Sequence, residues 1–335
     1  MPPQTPRLTA RLTIDAYVDE DGMLDSMAED VRLGLTAEPK RLSPKYFYDD
    51  AGSELFEQIT CLPEYYPTRA ERALLEESAD ELMRTVRPQQ IVELGSGSSI
   101  KTRVLLGVNS APEYLTQYVP FDVSRGIVEG AAEGLLLDFP FLSIHGVIGD
   151  FGHHLSKIPA ATGKRLVLFL GGTIGNLDPD ERTALLTQVA ELLGPEDRLL
   201  IGLDLVKDPA TIEAAYNDSA GVTAAFNRNI LRHLNRELTA DFDPDAFQHR
   251  AFFNEEESRI ELHLVPDDTQ MVSIGTLGIT IKVDPSETIW TESSYKFTKA
   301  SLHRMLTDAG MQLDGFYTND EPDELFAVVL ASPAD

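Results

Sequence analysis

Cysteine is nearly absent: Cys61 stands alone in 335 residues, so no internal disulfide can form, and no Cys-x-x-Cys or Cys/His cluster offers a zinc site. That usage fits a reducing cytosol. Basic residues are also scarce. Against 55 acidic side chains stand 28 basic ones, a net charge of -27, which would repel a phosphate backbone rather than release its counterions. A nucleic-acid partner is therefore not expected. Long uncharged apolar runs are missing, which excludes a helical membrane span, and the first residues show neither the apolar core nor the cleavage pattern of a signal peptide. The expectation is a soluble, untargeted, cytoplasmic monomer whose surplus acid forms a solvated surface.

What is present is core material in ordinary amount, 42% hydrophobic residues, over a length sufficient for two cores. After a polar, Pro-containing leader, apolar residues recur at helical spacing over 23–35 and 51–62. Between them Lys45-Tyr46-Phe47-Tyr48 lies on connecting backbone, where aromatic side chains can project. Thr68 with Glu71 reads as a capping box opening the next helix. From residue 90 short apolar runs at 91–94, 118–121, 145–148, 166–170 and 199–203 alternate with helical stretches, the pattern of a parallel, doubly wound α/β sheet. The helix after the fourth run is marked by Asp178 as cap, Pro179 at its first position, Glu181, and Gly194 at its end.

Beyond residue 207 the alternation stops. Helical segments at 211–217 and 222–238 precede strand-like runs at 259–265, 271–283 and 288–297, and a last helix (301–309) precedes a closing strand (325–330). The simplest reading is a discontinuous pair: residues 1–68 with 207–295 as one domain, and 69–206 with 296–335 as the doubly wound one.

Glu93-Leu94-Gly95-Ser96-Gly97-Ser98-Ser99 follows the first strand and opens a helix, where backbone amides can approach a nucleotide closely. A dinucleotide fingerprint would need a third glycine where Ile100 stands, so a nicotinamide oxidoreductase loses a required part. Asp122 ends the second strand, placed for ribose hydroxyls; Asp150 and Phe151 end the third, an acid for an adenine amino group beside an aromatic face. A glycine loop with acids at successive strand ends describes an S-adenosylmethionine site, although turn glycines and helix-capping acids would look the same one at a time. Lys101, in the first turn of a helix, opposes the dipole unless an anion such as a cofactor carboxylate faces it.

Several strings then carry a family resemblance: Lys45-Tyr46-Phe47-Tyr48-Asp49, LPEYYPT (62–68), VELGSG (92–97), Pro120-Phe121-Asp122, Gly172-Thr173-Ile174-Gly175-Asn176-Leu177 and TAAFNRN (223–229). From about residue 28 onward the chain resembles the histidine Nα-methyltransferases of ergothioneine biosynthesis. The resemblance implies transfer of three methyl groups from S-adenosyl-L-methionine to free L-histidine, giving hercynine. It also implies a Rossmann-like class I methyltransferase sheet beside a smaller α+β substrate-binding domain, the latter being 1–68 plus 207–295. By the same resemblance Gly95, Lys101, Asp122, Asp150 and Phe151 contact the cofactor. Asn176 and Tyr216 hold the backbone of the histidine, while Tyr65, Glu292 and Ser294 face its imidazole and Tyr48 lies near the amine, so that Tyr48 and Asn176 are the candidate catalytic groups. The chain departs from the family pattern at Gly171-Gly172 and at Leu262.

The chemistry is consistent with that assignment. Glu292 and Ser294 lie two apart in a strand-like run and so share a face, where a carboxylate and a hydroxyl can satisfy both nitrogens of an imidazole. An indole would leave Glu292 unsatisfied, which disfavours a relative acting on tryptophan; a non-catalytic protein that binds S-adenosylmethionine or histidine is the remaining alternative. Asp241, Asp243 and Asp245 have calcium-loop spacing, but Ala246 occupies the glycine place and Phe252 the glutamate place, so they are expected to cap helices and no metal is expected. His153 and His154 are expected on a surface loop.

Overall fold

The computed structural model describes residues 10–109, 111–319 and 325–334. Two compact units emerge: one comprises the stretch ending at Val18, Arg69–Leu205 and the stretch from Phe297 onward; the other comprises Asp19–Thr68 and Val206–Lys296.

The first unit is built on one sheet of eight strands: β1 (Leu12–Ala16), β2 (Gln90–Leu94), β3 (Gln117–Asp122), β4 (Ser143–Ile148), β5 (Arg165–Phe169), β6 (Arg198–Asp204), β7 (Met311–Thr318) and β8 (Phe326–Pro333). They lie side by side in the order β1-β4-β3-β2-β5-β6-β8-β7. Strands β1 to β6 run parallel, while β8 is antiparallel to β6 and β7 to β8. Every residue of β2 (QIVEL) and of β5 (RLVLF) is buried, as central strands covered on both faces require. Because β3 and β4 lie on one side of β2 and β5 and β6 on the other, the strand order reverses between β2 and β5. The crevice at the carboxyl ends of strands at such a reversal is where doubly wound sheets bind ligands. Helix Pro179–Leu192 flanks the sheet and starts as its sequence predicts, with Glu181 Oε2 accepting from the Asp178 N–H at 2.9 Å.

Residues 12–16, expected in the leader of the substrate-binding domain, instead pair with β4 as an edge strand of this sheet, from Leu12 opposite Ile144 to Ala16 opposite Ile148. Met311–Thr318 was likewise not expected as a strand; only its first residue is fully buried, so its apolar pattern is faint.

The second unit has a four-stranded sheet in the order Lys40–Arg41, Ile289–Tyr295, Arg259–Pro266, Phe247–Asn254. Its longest helices are Glu20–Thr36 and Val222–Leu238. The latter buries Phe226, Ile230, Leu234 and Leu238 along one stripe, and Phe226 stacks on Phe47 at 4.6 Å. Asn227, fully buried, ties the helix to the sheet: its Nδ2 lies 2.9 Å from His249 Nδ1 and donates to the His263 carbonyl at 3.2 Å, while its Oδ1 accepts from Thr291 at 2.7 Å. Asn229 Nδ2 donates to Asp49 Oδ1 at 2.7 Å, and the same oxygen caps helix Asp50–Thr60 through the Gly52 N–H. The strings around Tyr48 and Phe226 thus hold one another in place. Residues 271–283, expected as one strand, form a hairpin of Gln270–Ile274 and Ile279–Val283, broken at Gly278 where φ is +62. Its tight left-handed turn is open to glycine at no steric cost.

Candidate functional site

In the first unit, chain leaving β2 turns at Gly95 (φ +68) and Gly97 (φ +47), and the N–H groups of Gly95 and Ser96 donate to the Phe121 carbonyl at 2.8 and 3.2 Å. The loop is thereby pinned to the end of β3. Asp122 completes the clamp: its Oδ2 accepts from the Gly97 N–H at 2.9 Å and its Oδ1 from the Ser124 N–H at 3.0 Å. Burial holds the Asp122 carboxyl above its ordinary range, opposed by those backbone N–H groups. Nothing lies within 4 Å of a Cβ built on Gly95 or on Gly97, and Ser96 Oγ is buried without a hydrogen-bond partner. Open space over bare backbone and an unsatisfied buried hydroxyl fit a polar ligand lying on the loop.

Beneath the loop, Ser99 (φ +55) shares a 2.8 Å hydrogen bond with the Tyr118 hydroxyl, which in turn donates to the Glu93 carboxylate. Burial pushes Glu93 up to about 7, against the hydrogen bond from Tyr118 and the nearby charge of Lys101. Glu93 therefore supports the loop from below.

The helix after this loop starts later than its sequence suggests, at Thr102, and runs only to Leu106. Lys101 finds its anion inside the protein, because Glu71 forms an ion pair with it. Glu71 is thus not the reciprocal cap of Thr68. It is fully buried, with one oxygen on Lys101 and the other accepting from the Gly171 N–H at 2.7 Å. A Cβ on Gly202 would come within 1.9 Å of that second oxygen, so only glycine leaves room for it.

Gly171 (φ +82) and Gly172 (φ +67) make the left-handed turn after β5 that leads into the short helical turn Thr173–Asn176, with Asn176 half-buried at its end. After β4, Asp150 caps the turn Phe151–His154 by accepting from the Gly152 N–H at 2.7 Å, and Phe151 sets its ring edge-on to Phe169 at 5.7 Å. His153 is exposed as expected, whereas His154 is half-buried: its Nδ1 lies 3.2 Å from the Asp150 N and its ring stacks on Tyr17 at 6.2 Å. Gly95, Lys101, Asp122, Asp150, Phe151 and Asn176 therefore all sit at or just beyond the carboxyl ends of β2 to β5.

The second unit gathers Tyr48, Tyr65, Tyr216, Glu292 and Ser294. Pairing of Ile289–Tyr295 with Arg259–Pro266 slips between Trp290 and Glu292, and such a bulge re-aims the side chains that follow it. Ser294 Oγ and Tyr216 Oη are 3.0 Å apart, and Lys296 Nζ donates to both at 2.9 Å. Lys296, only 3% exposed, was not singled out from the sequence. Its spacing from Glu292 and Ser294, two residues at a time along one strand, was the available signal. Burial raises Glu292 to about 7, and the Lys296 charge opposes the rise.

Tyr65 meets Tyr216 edge-on at 6.0 Å and Phe56 at 6.2 Å; Tyr48 meets Phe56 at 5.6 Å and Phe226 at 5.7 Å, also edge-on. Tyr48 is 43% open to solvent yet surrounded closely enough that desolvation, then the charges of Glu292 and Tyr216, holds its phenol well above the usual range. Away from these groups, Asp241 accepts from the Ser273 N–H at 2.7 Å, Asp243 caps a single turn by accepting from the Asp245 N–H at 3.2 Å, and Asp245 pairs with Arg232 at 2.9 Å. Only Asp243 caps a helical turn as expected.

Residues 27–333 match the family model described as histidine-specific methyltransferase, SAM-dependent. The chain is 45% identical to the histidine N-alpha-methyltransferase of Mycolicibacterium smegmatis, over 93% of this chain and 97% of that protein. Its identity to the protein of the same name from Mycobacterium tuberculosis is also 45%, over 96% and 99%. Ergothioneine biosynthesis protein 1 of Neurospora crassa is 31% identical over 82% of this chain and 31% of its own length.

Proposed function

The chain belongs to the histidine-specific, S-adenosylmethionine-dependent methyltransferases, and from that membership we propose that it methylates the α-amino nitrogen of free L-histidine three times, giving hercynine in ergothioneine biosynthesis. The observation that carries the choice of substrate is the pairing of Glu292 with Ser294 on one strand face, backed by Tyr216 and Lys296. A carboxylate and a hydroxyl side by side match both nitrogens of an imidazole, whereas an indole offers one N–H and no second nitrogen, and a phenyl ring offers neither. A tryptophan substrate could satisfy only one of the two groups and would set the other against carbon, which is costly for polar groups already partly desolvated.

In this reading the first unit is the methyltransferase domain. Gly95 lends backbone, Asp122 carries the ribose hydroxyls, Asp150 and Phe151 hold the adenine, and Lys101 faces the amino-acid end of the cofactor. S-adenosylmethionine supplies an electrophilic methyl group on a sulfonium, so transfer moves positive charge rather than creating it. Positioning therefore outweighs a charge clamp. The second unit is the substrate-binding domain. Tyr65, Glu292 and Ser294 hold the ring, Tyr216 orients the amino-acid backbone, and Tyr48 lies near the amine; from the first unit, Asn176 is assigned to the same backbone by the family resemblance alone. With its phenol held protonated, Tyr48 is no general base; it offers a polar, aromatic wall to an amine that grows into an ammonium. The proton of the amine leaves to water before attack.

No helix among the described residues is long and apolar enough to cross a membrane. A monomeric, cytoplasmic enzyme acting on a free amino acid, with no nucleic-acid partner, is the accompanying reading, supported by the net charge of -27. The test is to incubate the purified protein with isotopically labelled S-adenosylmethionine and each common amino acid, reading products by mass. Histidine alone should gain one, two and then three methyl groups. Turnover of tryptophan, or binding of both ligands with no product, would overturn the reading.

A further inference from the structure

Lys296 follows directly on the strand Ile289–Tyr295, buried to 3% exposure, and gives protons to the oxygens of both Tyr216 and Ser294 at 2.9 Å, its Nζ also standing 4.6 Å from the centre of the Tyr216 ring. An ammonium can only donate, so both hydroxyl oxygens accept from it. The two hydroxyls are themselves 3.0 Å apart, and one must donate to the other. A phenol is a stronger acid than an alcohol and hence the better donor, which directs the proton of Tyr216 onto Ser294. Ser294 Oγ then accepts twice, filling both lone pairs, and its own hydrogen has to point away from both partners.

We propose that Lys296 is a positioning residue that fixes Ser294 as a hydrogen-bond donor toward the substrate ring. Ser294 and Glu292 then present one donor and one acceptor, and the ring selected is a neutral azole carrying one bare nitrogen and one N–H. This rests on the histidine reading of the same site. Without the ammonium, Ser294 is free to rotate and to accept instead of donate, and the discrimination is lost while the fold of the strand is kept by its ladder.

Two alanine derivatives isolate the effect: 3-(4-thiazolyl)alanine, whose ring has a bare nitrogen but no N–H, and 3-(3-thienyl)alanine, whose ring has neither. Both leave Glu292 without a ring N–H and both carry sulfur in the Nε2 place, differing only in the Nδ1 place, which the proposal sets against Ser294, so the ratio of their kcat/KM values reports on Ser294. The wild-type protein should prefer the thiazole roughly fivefold or more, the worth of one hydrogen bond to a buried donor. Lys296→Met should bring that ratio close to one and raise KM for L-histidine more than it lowers kcat, whereas Lys296→Arg, also a pure donor, should keep the preference. A wild-type protein indifferent to the ring nitrogen overturns the proposal whether or not the variants fold. So does a Lys296→Met protein that retains the preference while losing rate on every substrate equally. Failure of the wild type to methylate L-histidine at all would instead sink the parent reading.

Discussion

Two carboxylic acids, the half-buried Glu292 and the buried Glu93, are both raised to about 7 by desolvation, yet their surroundings give them different work. Glu292 sits where a ligand ring is proposed, so Glu292→Ala removes a charge-assisted hydrogen bond. Histidine recognition should weaken by roughly 1.5 to 3 kcal/mol, read as KM or by calorimetry, with S-adenosylmethionine affinity unchanged. Equal loss for both ligands would point to damaged folding and count against the assignment. Glu93 touches only the protein, and its prediction concerns stability. Its folded value lies above its ordinary 4.5, so between those two values the folded chain keeps a proton that the unfolded chain has released. Stability is therefore lost as pH rises through that window, by at most about 1.4 kcal/mol per pH unit for one group. Glu93→Gln has no proton to lose and can still accept from Tyr118. Its melting temperature relative to the wild type should be lowest near pH 5, climb through pH 6, and level off above about pH 7. A difference that does not move with pH would show that Glu93 does not titrate in the folded protein.

Two glycines of the first unit, one in a strand-end loop and one inside a strand, fail for opposite reasons when a side chain is added. Gly95 has a left-handed backbone (φ +68) and no protein atom within 4 Å of a built Cβ. Gly95→Ala should therefore cost only the conformational strain, about 1 to 2 kcal/mol, while placing a methyl group where the cofactor is proposed to lie. S-adenosylmethionine affinity should fall far more than stability does. Gly202 has an ordinary strand backbone, but its added Cβ would meet Glu71 at 1.9 Å. Gly202→Ala must displace that carboxylate from Gly171 and Lys101, so stability and cofactor affinity should fall together; thermal melts and titrations on the two variants separate the cases. The sequence made the first glycine legible and not the second. A Gly-x-Gly after an apolar run announces a turn, whereas a glycine inside LLIGLD announces nothing until a buried Glu71, distant in sequence, is seen to occupy its space. Lys296 was half hidden in the same way: its spacing sets it in line with Glu292 and Ser294, but its burial shows only in the fold. Glu71 was misread because a Thr-x-x-Glu pattern has a local explanation that tertiary packing overrode. The five parallel strands between residues 90 and 204 were legible because buried strands of a doubly wound sheet read as largely apolar runs. Phe247–Asn254 and Met311–Thr318 were not, since each buries only its first residue fully and carries polar side chains along much of the rest.

At the scale of the whole molecule, the chain passes between its two units after Val18, Thr68, Leu205 and Lys296. The later crossings lie near the places where strand–helix alternation starts, stops and resumes along the sequence. The first was not, because a five-residue edge strand, LTIDA, carries too little apolar signal beside a Pro-containing leader to be assigned to a sheet whose next strand begins at Gln90. Charge is the other property that belongs to the molecule rather than to any element. A net charge of -27 puts like charges within reach of one another over the whole surface. Exposed pairs such as Arg72 with Glu76 and Arg84 with Asp80 offset little of it, each being worth a few tenths of a kcal/mol. The screening length shortens from about 30 Å at 0.01 M salt to about 10 Å at 0.1 M, so added salt should relieve repulsion between distant carboxylates before it weakens contact pairs. The melting temperature should therefore rise by several degrees as sodium chloride goes from about 0.01 M to about 0.5 M, with most of the gain below about 0.2 M. Screening depends on ionic strength and not on the identity of the anion, so chloride and sulfate matched in ionic strength should give the same rise in that lower range. Sulfate should pull ahead only at higher concentration, where its exclusion from apolar surface adds to burial. A flat or falling curve with sodium chloride would mean that the surplus acids are already neutralised, by bound cations or by raised proton affinity, and that self-repulsion is not what limits the stability of this fold.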